Sequence, residues 1–282
     1  MIYLNGNFLP IEQAHIPVLD RGFIFGDGVY EVIPVYSHRP FRLDEHLTRL
    51  QHSLDGIRLK NPYTASQWRS LIESLIAHNE GEDQYLYLHI TRGVARRDHA
   101  FPAGVEPTVF MMSTPLVVPH QGLLTTGVAA VTAQDNRWGR CDIKAISLLS
   151  NVLLRQLAVD AHAMETILLR DGLLTEGAAS NVFIVRNNIL LAPPKDHRML
   201  PGITYDLILE LAAVNAIAHE VRDITEHELR TAQEIMMTSS TKEILPVVRL
   251  DDQPVGNALP GAVFQQLNQL YQNYKTTVMR GQ

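Results

Sequence analysis

The chain has 282 residues, 46% of them hydrophobic and 19% charged, enough for one large buried core or two modest ones. A formal charge of -6 gives no sign of a general affinity for nucleic acid, and no nucleic-acid partner is expected. The lone cysteine, Cys141, excludes an intrachain disulfide framework. With no signal-like start in MIYLNGNFLP and no apolar run long enough for a bilayer, a soluble cytoplasmic protein is expected, with no membrane partner.

Tyr3 and Leu4 are separated from Phe8 and Leu9 by Asn5-Gly6, the dipeptide that most favours a tight hairpin. The stretch GVYEVIPVY at 28–36 is rich in β-branched and aromatic residues and predicts a strand, with Pro34 placing it at an edge or irregularity. Leu47, Leu50, Leu54 and Ile57 recur at helical spacing, so a helix starts near Asp44. Thr64 and Gln67 form a capping box for a second helix, whose apolar face runs through Trp68, Leu71, Ile72, Leu75 and Ile76. Strands at 85–90 and 108–112 flank a polar loop. The segment 117–126, with Pro119, His120, Gln121 and Gly122, reads as a linker between a region 1–120 and a region 121–282.

The second region opens with a strand at 127–132, an irregular segment at 134–146 and a helix at 147–163. Strands are expected at 166–170, 181–185 and 235–237, with a helix at 204–216 between the last two. Thr225 with Glu228 marks another capping box, and residues 262–274 suit a final helix. This alternation of elements predicts a mixed α+β or α/β protein.

The chain has no GxxxxGK[ST] loop, GxGxxG fingerprint, HExxH, CxxC or GxSxG, and its histidines are scattered, so no metal site is expected. Several polar segments each carry two readings. Lys144, in RCDIK, is either a solvated loop lysine or an amine poised for a Schiff base. TEGAASN at 175–181 is either a turn or a buried carboxylate, Glu176, beside small residues that admit a planar ligand. Pro201 to Thr204 opens a helix, as ordinary capping or as an anion site. Thr238-Ser239-Ser240-Thr241 is a turn or a hydroxyl-lined phosphate pocket, and Arg49 lies on the flank of its helix's apolar stripe. Arg96-Arg97-Asp98-His99 is a solvated charge cluster or a two-pronged site for a carboxylate.

The order of these segments along the chain resembles fold-type IV pyridoxal-phosphate enzymes, and most closely the D-amino acid aminotransferases. The segments are DRGFIFGDGVYEV at 20–32, HLTRL at 46–50, TRGVARRDH at 91–99, RCDIK at 140–144, TEGAASNVF at 175–183, LPGIT at 200–204 and TSSTKEI at 238–244. The resemblance implies a smaller N-terminal α/β domain and a larger C-terminal domain with a barrel-like sheet that carries the cofactor lysine. It implies pyridoxal 5'-phosphate as cofactor, Lys144 as the residue that forms the Schiff base and moves the Cα proton, and Glu176 as the partner of the pyridine nitrogen. Arg49, Ile203, Thr204 and Ser240 match the phosphate cup, and Leu200 the apolar residue packed on the ring. Tyr30 with Arg97 and His99 matches the trap for the substrate α-carboxylate, on a loop that in the family reaches in from the neighbouring subunit of a homodimer. The implied substrates are D-amino acids such as D-alanine and 2-oxo acids such as 2-oxoglutarate.

Ala178 and Ala179 depart from the family, whose D-specific members often carry serines there. Two rivals share the lysine and the fold: branched-chain L-amino acid aminotransferases, which lack the arginine-x-histidine pair, and 4-amino-4-deoxychorismate lyase, which needs no amino acceptor. A non-enzymatic binding protein on the same scaffold is the third.

Overall fold

The computed structural model describes residues 1–117 and 119–281. The chain divides into two compact units: Met1–Val117 with Ile143–Leu148 and Met279–Gly281, and residues 119–142 with Leu149–Val278.

In the first unit, β1 (Ile2–Leu4) and β2 (Asn7–Leu9) form the expected hairpin, with Asn5 and Gly6 at φ 46° and 96°. Then come α1 (Arg21–Phe25), β3 (Gly28–Tyr36), β4 (Arg39–Pro40), α2 (Leu43–Gly56), α3 (Ala65–Ala77), β5 (Gln84–Thr91) and β6 (Thr108–Pro115). The strands make one antiparallel sheet in the order β2-β1-β6-β5-β3-β4. Alternation along β5 buries Leu86, Leu88 and Ile90 with Leu50 and Leu54 of α2 and Trp68 and Ile72 of α3, and leaves Tyr87 and His89 on the opposite, half-exposed face. The capping box of α3 is present, with Gln67 N–H on Thr64 Oγ1 and Thr64 N–H on Gln67 Oε1.

Pro34 is tolerated within β3 because the backbone amides of its parity point away from β5. Tyr30, of that same parity, directs its N–H to Lys144 O rather than into the β3–β5 ladder. The missing proline N–H therefore costs that ladder nothing. Asp20, 1% exposed, caps α1 by accepting from Gly22 N–H at 2.8 Å. Its other oxygen takes the hydroxyls of Thr91 (3.0 Å) and Thr108 (2.6 Å), tying the adjoining ends of β5 and β6. At Gly28 a Cβ would lie 2.4 Å from Ile90 O, so the close approach of the two backbones requires glycine.

In the second unit, α4 (Gly122–Thr126) occupies part of the expected linker, of which residue 118 lies outside the described residues. There follow β7 (Val128–Gln134), α5 (Leu149–Asp160), β8 (Glu165–Arg170), β9 (Leu173–Gly177), β10 (Asn181–Arg186), β11 (Ile189–Ala192), α6 (Ile203–Val214), β12 (His219–Val221), α7 (Glu226–Arg230), β13 (Glu234–Ser239), β14 (Glu243–Leu250), β15 (Gln253–Pro254) and α8 (Ala262–Tyr274). The sheet runs β12-β11-β10-β13-β14-β7-β8-β9, with β15 beside β14, and curls into a half-barrel. Ile167, Val182, Ile184, Ile235 and Leu245 lie in its core. This is the mixed architecture that the alternation of elements predicts. Strands β9, β11, β12 and β14 are not among the expected elements.

One placement differs from expectation. The sequence assigns Lys144 to the second region, but its segment packs as an extra edge of β3 in the first unit. Ile143 enters the first unit's core, Ala145 bridges Val29, and Ile146 N–H bonds Gly28 O at 3.1 Å. Among the described residues no helix is long and apolar enough to cross a membrane.

Candidate active site

Lys144 is half-buried, and its Nζ lies 4.1 Å from the centre of the Tyr30 ring. Two backbone bonds fix its position: Tyr30 N–H to Lys144 O at 3.0 Å, and Lys144 N–H to Ser53 Oγ at 3.1 Å. Ser53 lies one turn after Arg49 on α2, so β3 and one side of α2 together locate the lysine.

Arg49 is only 7% exposed, not a surface residue. It grips Glu31 in a two-pronged pair, Nε to Oε1 at 2.8 Å and Nη2 to Oε2 at 2.7 Å, and His46 Nδ1 lies 2.8 Å from the same Oε2. Burial alone would raise the Glu31 carboxyl, but the charge and hydrogen bonds of Arg49, helped by His46, hold it well below the usual carboxylate range. Burial depresses His46 against the pull of Glu31, and the charges of Arg49 and Lys144 add to the depression. His46 Nε2 is buried without a hydrogen-bond partner. Sequence reasoning misses Glu31 and His46, although each stands inside a motif that carries the family resemblance.

Arg97 and His99 are exposed and lie against one ring: Arg97 Cζ is 5.5 Å from the Phe25 centroid, and the His99 ring is 5.3 Å from it. Tyr30, the third residue expected to bind substrate, is on β3 beside Lys144.

In the second unit, Glu176 lies at the end of β9, is 5% exposed, and takes Arg137 Nη1 on Oε1 at 2.5 Å. Its Oε2 accepts from Leu200 N–H at 3.1 Å and Asn181 Nδ2 at 3.4 Å. Asn181 also donates to Leu200 O at 2.9 Å, so Glu176 and the half-buried Leu200 are brought together. Burial pushes the Glu176 carboxyl up to about 7, against the opposing effect of Arg137. Arg137 is itself held by Asp135 through Nε (2.8 Å) and Nη2 (2.9 Å), and Asp135 also takes Arg170 and the Thr175 hydroxyl. A lone arginine in an irregular segment carries no sequence signal, so Arg137 emerges only from the structure.

Ile203 and Thr204 begin the twelve-residue α6, which no side chain caps. Thr204 is 2% exposed, and its Oγ1 is a buried hydroxyl without a partner, as is Thr238 Oγ1. Ser240 lies half-buried in the turn that follows β13. An uncapped helix start with an unsatisfied hydroxyl fits a phosphate, and a buried carboxylate with a raised pKa fits a cationic ring nitrogen. The residues therefore suit pyridoxal phosphate. Among the described residues no group of three or more His, Cys, Asp or Glu could hold a metal ion.

The family described as amino-transferase class IV matches residues 28–250. The chain is 39% identical over 272 residues to the D-alanine aminotransferase of Bacillus licheniformis, covering 96% of each, and 36% identical over 274 residues to that of Staphylococcus aureus, covering 97% of each. Among solved structures, the branched-chain amino acid aminotransferase of Escherichia coli aligns with a TM-score of 0.89 at 28% identity, covering 95% of this chain and 92% of that one. A second branched-chain amino acid aminotransferase, solved with pyridoxamine 5'-phosphate, aligns with a TM-score of 0.90 at 26% identity, covering 99% and 94%. The chain belongs to the class IV aminotransferases, pyridoxal-phosphate enzymes of fold-type IV.

Proposed function

We propose that this enzyme transfers the amino group of a D-amino acid, D-alanine among them, to 2-oxoglutarate in a two-step ping-pong cycle. The observation that carries the D-specific part is the placing of Arg97 and His99 against the single Phe25 ring, where two donors can grip one carboxylate. The D-alanine aminotransferases named above support the same reading.

Pyridoxal phosphate, when bound, supplies an aldehyde carbon and a ring that takes up electron density as the Cα–H bond breaks. Lys144 Nζ would hold it covalently, then accept the Cα proton and return it. The Thr204 hydroxyl, the amides of Ile203 and Thr204 at the α6 start, Ser240 and Arg49 would hold the phosphate, with Glu31 and His46 keeping the Arg49 guanidinium in place. Glu176 would hold a proton at the ring nitrogen, and Leu200 would pack on the ring. Tyr30, with Arg97 and His99 from the loop of a second copy of the chain, would bind the substrate carboxylate.

The same reading includes a homodimer. Its support is apolar surface that a monomer leaves in water: Leu149, Val152, Leu153 and Leu157 on α5, and Val18 and Phe23 near α1. A cytoplasmic location goes with the single, buried Cys141.

A second reading, a branched-chain L-amino acid aminotransferase, is favoured by the fold of the solved relatives. The test is product analysis of the holoenzyme with D-alanine and 2-oxoglutarate. Formation of pyruvate and D-glutamate, dependent on the acceptor, supports the proposal. Turnover of L-leucine with none of D-alanine favours the second reading, and pyruvate release from aminodeoxychorismate without an acceptor favours the lyase.

A further inference from the structure

Arg21 opens α1 and is 3% exposed. Its Nε is fixed on Asp27 Oδ2 at 2.8 Å, and its remaining nitrogens turn to the backbone of the segment that carries Arg97 and His99. Nη1 donates to Asp98 O at 2.5 Å and to Ala100 O at 3.4 Å, and Nη2 to His99 O at 3.5 Å. Three consecutive carbonyls of an otherwise exposed loop thus converge on one buried guanidinium. Asp27 is in turn held by Arg92, through Nε at 2.8 Å and Nη2 at 3.0 Å, which fixes the anchor of the Arg21 head group. The ring of Phe25, one turn after Arg21, lies 4.8 Å from the Arg21 guanidinium and is the same ring that Arg97 and His99 lie against.

The side chains of residues 96–100 are exposed. Within the segment Ala100 N–H bonds Asp98 Oδ1 at 3.1 Å, and beyond it the Phe101 ring packs under Arg92 at 3.8 Å, so the Arg21 bonds act on the stretch between. Two-pronged binding of a carboxylate needs both donors set before the ligand arrives, because ordering them afterwards subtracts from affinity. We propose that Arg21, anchored by Asp27 and packed on Phe25, is the positioning residue of the Arg97–His99 site, fixing the backbone at 98–100 so that the two side chains present one anion-binding pair. The inference rests on the proposed reading of Arg97 and His99 as the substrate-carboxylate trap. Arg21 itself touches no substrate. Lysine cannot replace it, since one ammonium on a flexible stem cannot span Asp27 and three carbonyls.

The test is saturation of the first half-reaction of the holoenzyme with D-alanine, read as apparent dissociation constant and limiting rate, together with amide hydrogen exchange over residues 96–101. Arg21→Lys and Phe25→Leu should each raise the constant roughly tenfold while the limiting rate stays within about twofold, and Arg21→Lys should speed exchange in the loop. Arg97→Ala serves as the reference. If it raises the constant while Arg21→Lys and Phe25→Leu leave both constant and exchange as in the wild type, the positioning role is overturned and the trap stands. If Arg97→Ala changes nothing, the reading of the trap itself falls. Should Arg21→Lys fail to fold, Phe25→Leu decides: a raised constant supports the proposal, and wild-type behaviour overturns it.

Discussion

Arg137 and Glu176 meet at 2.5 Å inside the second unit, yet the arginine does not dominate the titration of its partner. Burial outweighs it and leaves the carboxyl at about 7, far above its ordinary value of 4.5. A protonated ring nitrogen beside this carboxyl would oppose the effect of burial and favour its charged form.

As pH rises from 4.5 the unfolded chain loses this proton first, while the folded chain keeps it until about 7. Between those values the group lowers the stability of the cofactor-free protein, by on the order of 3 kcal/mol once the change is complete. Urea unfolding of the apoprotein across this window should show a fall that Glu176→Gln removes. Equal pH slopes in the two proteins would contradict it.

Glu31 has the opposite sign. Its folded carboxyl is held below the usual range by Arg49, so its contribution is fully present above about 4.5, the unfolded value, and is lost as pH falls below it. Because the pair is buried, Arg49→Ala leaves Glu31 uncompensated and should cost about 3–5 kcal/mol at pH 7. The deficit should shrink at pH 4 and below, a comparison that chemical denaturation at the two pH values provides.

Ala178 and Ala179, which follow Gly177, are not equivalent. Ala178 is buried and packs with Leu154, Leu168 and Ala133, whereas Ala179 is exposed. Ala178→Ser should destabilise by about 1–3 kcal/mol through an unpaired buried hydroxyl, and Ala179→Ser should leave the melting temperature unchanged within error. Only the second is expected to shift relative rates among D-amino acids without a stability cost, as a panel of substrates would reveal.

In the proposed cycle Lys144 is both nucleophile and proton carrier, so Lys144→Ala should lower turnover by roughly 10³-fold or more. The residues proposed to hold the phosphate remain, so cofactor should still bind but should leave on dialysis, as absorbance of the dialysed protein reports.

Much of this was legible in the sequence where local chemistry decides. The Asn5-Gly6 hairpin, the capping boxes at Thr64 and Thr225 and the strand Gly28–Tyr36 all form as expected, since turn chemistry, capping and a dense β-branched run act within a few residues. Elements that depend on distant partners were not legible. β12 is three residues held parallel to β11, β14 contains Pro246, and β9 ends in a segment that reads as a turn. The site divides in the same way. Lys144, Glu176 and Arg49 stand in recognisable motifs, whereas the Glu31 clamp, the Arg137–Glu176 contact and the Arg97–Phe25 contact exist only between residues far apart in sequence.

Specificity for D-amino acids is decided by mixing the purified holoenzyme with D-alanine and with L-alanine in separate cuvettes, without any acceptor. D-alanine should convert the absorbance of the bound cofactor to that of its aminated form and release one equivalent of pyruvate per site, while L-alanine should leave the spectrum unchanged. Conversion by the L-isomer alone would contradict that specificity.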